Sequence, residues 1–126
     1  MASTFSFVFD PRFAPFLRAA GITPARSSLV LDDEELRVRF GPVTLTTPRS
    51  NIRKATVSGP WKPIKAIGVR LSLTDGGLTF GSAVDRTACL EFITPVRARP
   101  VDLRSHPGLT VSVDDPDRLA ALINAG

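Results

Sequence analysis

The chain has no tyrosine, and only one cysteine, one histidine and one tryptophan in 126 residues. A lone thiol, Cys89, excludes an intrachain disulfide. One imidazole, His106, and one thiol are too few for zinc, which takes three or four His, Cys or carboxylate ligands. No run approaches the ~18 apolar residues that a membrane-spanning helix needs. The opening "MASTFSFVFD" lacks the basic stretch and small-residue cleavage pattern of an export signal. These absences lead to the expectation of a cytoplasmic protein, folded without disulfides and using neither metal nor cofactor.

Acidic residues are also missing from the middle of the chain. Residues 36–74 carry eight bases (Arg37, Arg39, Arg49, Arg53, Lys54, Lys62, Lys65, Arg70) and no Asp or Glu. Such a block suits an anionic partner: phospholipid, nucleic acid or an acidic protein surface. A second explanation competes with it. Thirteen arginines against three lysines is the bias of a high-GC coding genome, which raises arginine with no binding demand behind it.

What is present is a pattern of strands. The hydrophobic fraction of 43% and the length suit one globular domain over residues 1–126. Phe5, Phe7 and Phe9 alternate as in a half-buried strand. Phe13, Phe16, Leu17 and Ala20 then share one face of a short helix that Gly21 stops. "SSLVL" and "LRVRF" pair across the acidic turn "DDEE", with Arg37 and Arg39 facing out. Gly41-Pro42 turns into "VTLTT". Further strands are expected in "NIRKATVSG", "IGVRLSLT", "LTFGSAV", "TACLEFI" and "LTVSV", with Gly76-Gly77 as a hairpin turn. "TPVRARPVDLRSHPG" has three prolines and no period, which predicts a loop. At the end, Asp115 caps a helix that Pro116 opens, with Leu119, Leu122 and Ile123 as its apolar face. The fold class is therefore α+β: an antiparallel curved sheet or partly open barrel with a C-terminal capping helix and a short N-terminal helix.

The segments "VTLTTPRSNIRKATVSG", Trp61 and "IGVRLSLT", together with the ending "LTVSVDDPDRLAALI", resemble bacterial pleckstrin-homology-like domains over about residues 27–126. The N-terminal strand and helix, residues 1–26, and the proline-rich stretch at 94–108 depart from that pattern. The chain also resembles small proteins of high-GC bacteria that carry no assigned activity. The resemblance implies a barrel-like core whose interstrand loops contact lipids or proteins.

Catalytic motifs are scarce. Ser105 is adjacent to His106 in sequence, which is not the spatial arrangement a nucleophile and its base require, so His106 reads as a loop histidine. "DDEE" lacks the ligand spacing of a calcium loop. "GSAVDRT" lacks the Gly-Lys-Ser/Thr ending of a phosphate loop, and "DGGLTFG" does not precede a helix. Cys89 sits in an apolar strand as a packed thiol. The sequence therefore predicts a non-catalytic binding module. Its basic face engages an anionic lipid headgroup, which would place it peripherally at a membrane, or a protein partner. Arg49, Arg53, Lys54, Lys62 and Lys65 are the candidate contacts, with Trp61 as an apolar rim; Arg97, Arg99 and Arg104 come next. Pro60 and Pro63 keep Trp61 out of a central strand, and a core or rim anchor is its favoured role. The alternatives are a single-stranded nucleic-acid-binding module and a small-ligand carrier or enzyme with a barrel pocket.

Overall fold

A computed structural model describes residues 2–59, 67–71, 77–83, 85–99 and 105–125. Trp61, Lys62, Lys65, Arg104 and most of the Gly76-Gly77 turn lie outside the described residues. The first sheet is a meander of β1 (Ser3–Ser6), β2 (Ser27–Leu31), β3 (Glu35–Phe40) and β4 (Val43–Pro48), every neighbouring pair antiparallel. The second contains β5 (Ile52–Ser58), β6 (Gly68–Leu71), β7 (Leu78–Gly81), β8 (Thr87–Val96) and β9 (His106–Val111), in the order β5-β8-β9-β7-β6. Among the described residues, only β7 and β9 run parallel. A short helix α1 (Ala14–Ala19) follows β1, and α2 (Pro116–Ala125) ends the chain.

Alternation sets the faces. In β3, Leu36, Val38 and Phe40 are buried while Arg37 and Arg39 are exposed, as a period of two requires. Leu29, Leu31 and Leu45 join them from β2 and β4, and Phe80, Leu90, Leu109 and Val111 meet them from the second sheet. Between β3 and β4 the chain reverses at Gly41, whose φ is +60°. A Cβ there would come within 2.6 Å of Ile22 Cγ1 and 2.9 Å of the Gly21 carbonyl, so only glycine fits.

The expected α+β class with two helices is the observed one, but the strands divide into two sheets and do not close into a barrel. Two isolated antiparallel bridges tie the sheets, Phe7 to Val113 and Thr44 to Arg99. The second lies just beyond β8, whose register against β9 shifts between Glu91 and Val96: Val96 still faces His106 of β9, and three residues on Arg99 meets β4. The proline-rich stretch is correspondingly less of a loop than its composition suggests. β8 continues through Pro95 to Val96, and His106 opens β9 opposite Val96. Val96 turns its backbone to β9, so neighbouring Pro95 faces the other way, where its missing N–H costs no bond to β9. His106 is accordingly a buried strand residue and not a loop histidine.

The C-terminal helix forms as its caps dictate. Asp115 Oδ1 accepts the Arg118 amide at 3.1 Å, Pro116 starts the helix, and Leu119, Ala120 and Ile123 are buried. An unforeseen contact holds it down. Asn124 reaches over β5, where its Oδ1 accepts the Ala55 amide at 2.9 Å and its Nδ2 donates to the Ala55 carbonyl at 2.8 Å. β5 is an edge strand, and this side chain occupies the place a neighbouring strand would take.

At the β2–β3 turn, Asp32 Oδ1 accepts the amides of Glu35 at 2.7 Å and Glu34 at 2.8 Å. These bonds hold its carboxyl below the ordinary 3.8.

Two outcomes follow. Asn124→Ala removes two hydrogen bonds of about 0.5–1.5 kcal/mol each, so urea melts should show a loss of about 1–3 kcal/mol. The Asp32 contribution is full above pH 3.8 and is lost as pH falls through the lower folded value. Acid melts of Asp32→Asn should therefore fall off less steeply below that pH than those of the parent chain; identical acid limbs would mean that the turn bonds form equally well to the neutral acid.

Candidate anion-binding groove

Residues paired across an antiparallel ladder point to the same face of the sheet. Arg39 stands opposite Thr44, and Thr44 stands opposite Arg99, so three consecutive strands place Arg39, Thr44 and Arg99 in one outward row. In the next row Arg37 stands opposite Thr46, and continuing the same register sets Thr46 opposite Arg97. Arginines separated by 60 positions thus converge on the outer face of the first sheet.

Their charges are not equally committed. Arg37 donates to Glu35 at 2.8 Å and lies 3.8 Å from Asp32. Arg97 Nε donates to the Ser105 hydroxyl at 3.4 Å, and Arg97 has no ion pair among the described residues. Arg39 and Arg99 are exposed and have no ion pair among the described residues. Three arginines therefore stand beside two threonines with no ion pair to a carboxylate among the described residues.

Between β4 and the end of β8 the surface sinks into an open groove of about 950 Å³. Thr44, Thr46, Asn51, Arg97, Arg99 and Ser105 line it, and its described lining contains no acid. The groove exists because the ladder is interrupted. Thr44 and Arg99 exchange both backbone bonds, donating at 2.9 and 2.6 Å. Four residues along, continuing the register faces Pro48 with Pro95, and neither has an N–H to offer. Beyond them Asn51 restores the tie with its side chain: Nδ2 donates to the Thr94 carbonyl at 2.9 Å, and Oδ1 accepts the Thr94 amide at 2.7 Å. No bond joins Thr46 to Arg97 among the described residues, so backbone groups as well as side chains face this gap.

Of the contacts predicted from the basic block, those that are described are placed elsewhere. Arg49 braces the fold: Nη2 donates to the Leu122 carbonyl of α2 at 2.7 Å, and Nη1 donates to the Asp32 carbonyl at 3.2 Å. Lys54 lies 3.4 Å from Glu91 across the β5–β8 pair. Arg53 is exposed at the β5 bulge, where Ile52 pairs with Phe92 and Lys54 with Glu91. Trp61, Lys62 and Lys65 are outside the described residues. Arg97 and Arg99, ranked behind the central block, are the ones brought together with Arg39. Thr44, Thr46, Asn51 and Ser105 carried no signal in sequence, because only the β4–β8 pairing makes them neighbours.

No group of three or more His, Cys, Asp or Glu gathers into a metal-binding cluster among the described residues. The Thr110 hydroxyl donates to Cys89 Sγ at 3.4 Å, inside the β8–β9 pair. Among the described residues, no helix is long and apolar enough to cross a membrane. Comparison with known proteins finds no matching family model, curated protein or solved structure.

Arg49 and Arg53 should separate in mutagenesis. Arg49→Ala breaks two charge-assisted bonds to backbone carbonyls and should lower stability by about 1.5–3 kcal/mol. Arg53→Ala should stay within about 0.5 kcal/mol of the parent in the same denaturant melt.

Proposed function

We propose that this chain is a non-catalytic binding module, of the pleckstrin-homology-like kind, that engages an anionic partner through the outer face of its first sheet. The partner is a lipid headgroup or an acidic stretch of protein. One observation carries the reading: Arg39, Arg97 and Arg99 share the face of Thr44 and Thr46, beside a groove whose described lining contains no acid. Guanidinium groups pair with phosphate and carboxylate through two parallel donors, and hydroxyls beside them complete the shell of an oxyanion.

The two alternatives receive less support. Single-strand binders stack bases on aromatic side chains. Here Phe5, Phe7, Phe40, Phe80 and Phe92 are buried, and exposed Phe16 belongs to α1, not to the basic face. A carrier with a barrel pocket needs an internal cavity, whereas Phe40, Phe80, Leu90 and Leu109 fill the space between the sheets.

Sedimentation with phosphatidylcholine vesicles, with and without phosphatidylglycerol, tests the reading alongside a labelled oligonucleotide. Each base near an anionic leaflet contributes about 1 kcal/mol, so reversing Arg39, Arg97 and Arg99 to glutamate should weaken capture by roughly 100-fold and flatten its salt dependence. Unchanged capture by the triple variant at low salt would remove this face. Binding confined to the oligonucleotide would replace the reading with the nucleic-acid one.

A further inference from the structure

The groove beside the basic face is tied at both ends and graded between them. At one end Thr44 and Arg99 exchange their backbone bonds, and at the other Asn51 clamps Thr94. Arg97 and Arg99 line it toward the first tie. Pro48, Pro95 and Ile93 line it toward the second, and Ile93 is 56% exposed.

The gap between the ties holds backbone groups that the sheet leaves unused. Thr44 turns its amide and carbonyl away from β3 to meet Arg99, so Thr46, two residues on in β4, turns its own the same way. Val96 turns to β9, so Arg97 turns to β4. No backbone bond reaches Thr46 or Arg97 across the gap among the described residues. Each therefore presents one N–H donor and one carbonyl acceptor to it.

Donors and acceptors together, beside arginines, narrow the ligand. A phosphate offers acceptors alone and would leave both carbonyls unmatched. A strand running lengthwise through the gap would have to break the Thr44–Arg99 or the Asn51–Thr94 tie. The end of a polypeptide meets each demand. Its carboxylate accepts from backbone N–H groups and from guanidinium, its last peptide N–H donates to a carbonyl, and its last side chain lies on the prolines and Ile93.

We propose that this groove receives the free C-terminus of a partner protein, an apolar last residue preceded by acidic ones. The proposal rests on the basic-face reading and names its partner as an acidic protein end, not a lipid headgroup. The terminal carboxylate enters the gap between Thr46 and Arg97, and the acidic residues before it lie against Arg99 and Arg39.

Three short fluorescein-labelled peptides test it by anisotropy. The first has glutamates followed by a leucine with a free carboxylate. The second is its C-terminal amide. The third is an amide with one further glutamate, which restores the net charge of the first. The first should bind about tenfold or more tightly than either amide. Thr46→Pro removes one donor from the gap at a position whose N–H points away from β3, and should bring the free acid to the level of the amides. Arg97→Gln leaves the backbone untouched and should weaken the free acid more than the charge-matched amide; it decides the matter where Thr46→Pro lowers the melting temperature. Equal binding of the first and third peptides, or binding of none, would overturn the proposal. Vesicles of phosphatidylglycerol separate the two readings in that case. Capture that still depends on Arg39, Arg97 and Arg99 leaves the basic face standing with lipid as its partner, and no capture removes both.

Discussion

Phe40 is the point at which the two sheets hold each other. Its ring stacks on Phe80 at 5.3 Å with 10° between planes, and it meets Phe7 at 5.1 Å. β3 supplies the first ring, β7 the second, and the third sits at the bridge to Val113. The β3–β4 part of the basic face is referred to this contact. Phe40 pairs with Val43, which sets the β3–β4 register, and that register places Arg39 beside Thr44. The glycine turn directly after Phe40 works to the same end, since a side chain there would drive Ile22 out of the core. A buried aromatic cluster thus determines where exposed charges stand, which is how a packed interior becomes relevant to binding.

The parts of the fold that depend on local chemistry were legible in sequence. Alternation in "LRVRF" assigned both faces of β3, and Asp115-Pro116 announced the start of α2. The parts that depend on pairing between distant segments were not. Nothing in the run of strands says that it divides after β4, or that β7 lies parallel to β9. The proline-rich stretch misled because a proline counts against a strand only where its N–H would be needed, and that is decided by which neighbour the strand has. Asn51 and Asn124 were silent for a related reason. An asparagine in a loop or at a helix end has many local uses, and only the folded chain sets its amide against an open backbone edge.

The candidate site shows the same division. Net charge and the acid-free centre drew attention to residues 36–74, and Arg39 of that block does belong to the basic face. Arg49, from the same block, is held by two backbone carbonyls, and Lys54 sits beside an acid. Counting charges along a chain therefore measures supply. What separates a charge that braces the fold from one offered to a partner is whether its hydrogen bonds are already met, and pairing decides that.

The two asparagine clamps carry a further consequence, for the chemical ageing of the chain. Each amide acts as a short strand, with one donor and one acceptor set against a backbone amide and carbonyl. Deamidation exchanges the NH2 group for a carboxylate oxygen. The acceptor half of each clamp would survive, while the donor half would become an oxygen facing a carbonyl oxygen at contact distance. At Asn51 that repulsion falls where β8 is tied to the first sheet beyond the facing prolines; at Asn124 it falls where the last helix covers an open edge. The same two side chains that spare this fold additional strands also give it two covalent sites at which time alone could loosen it.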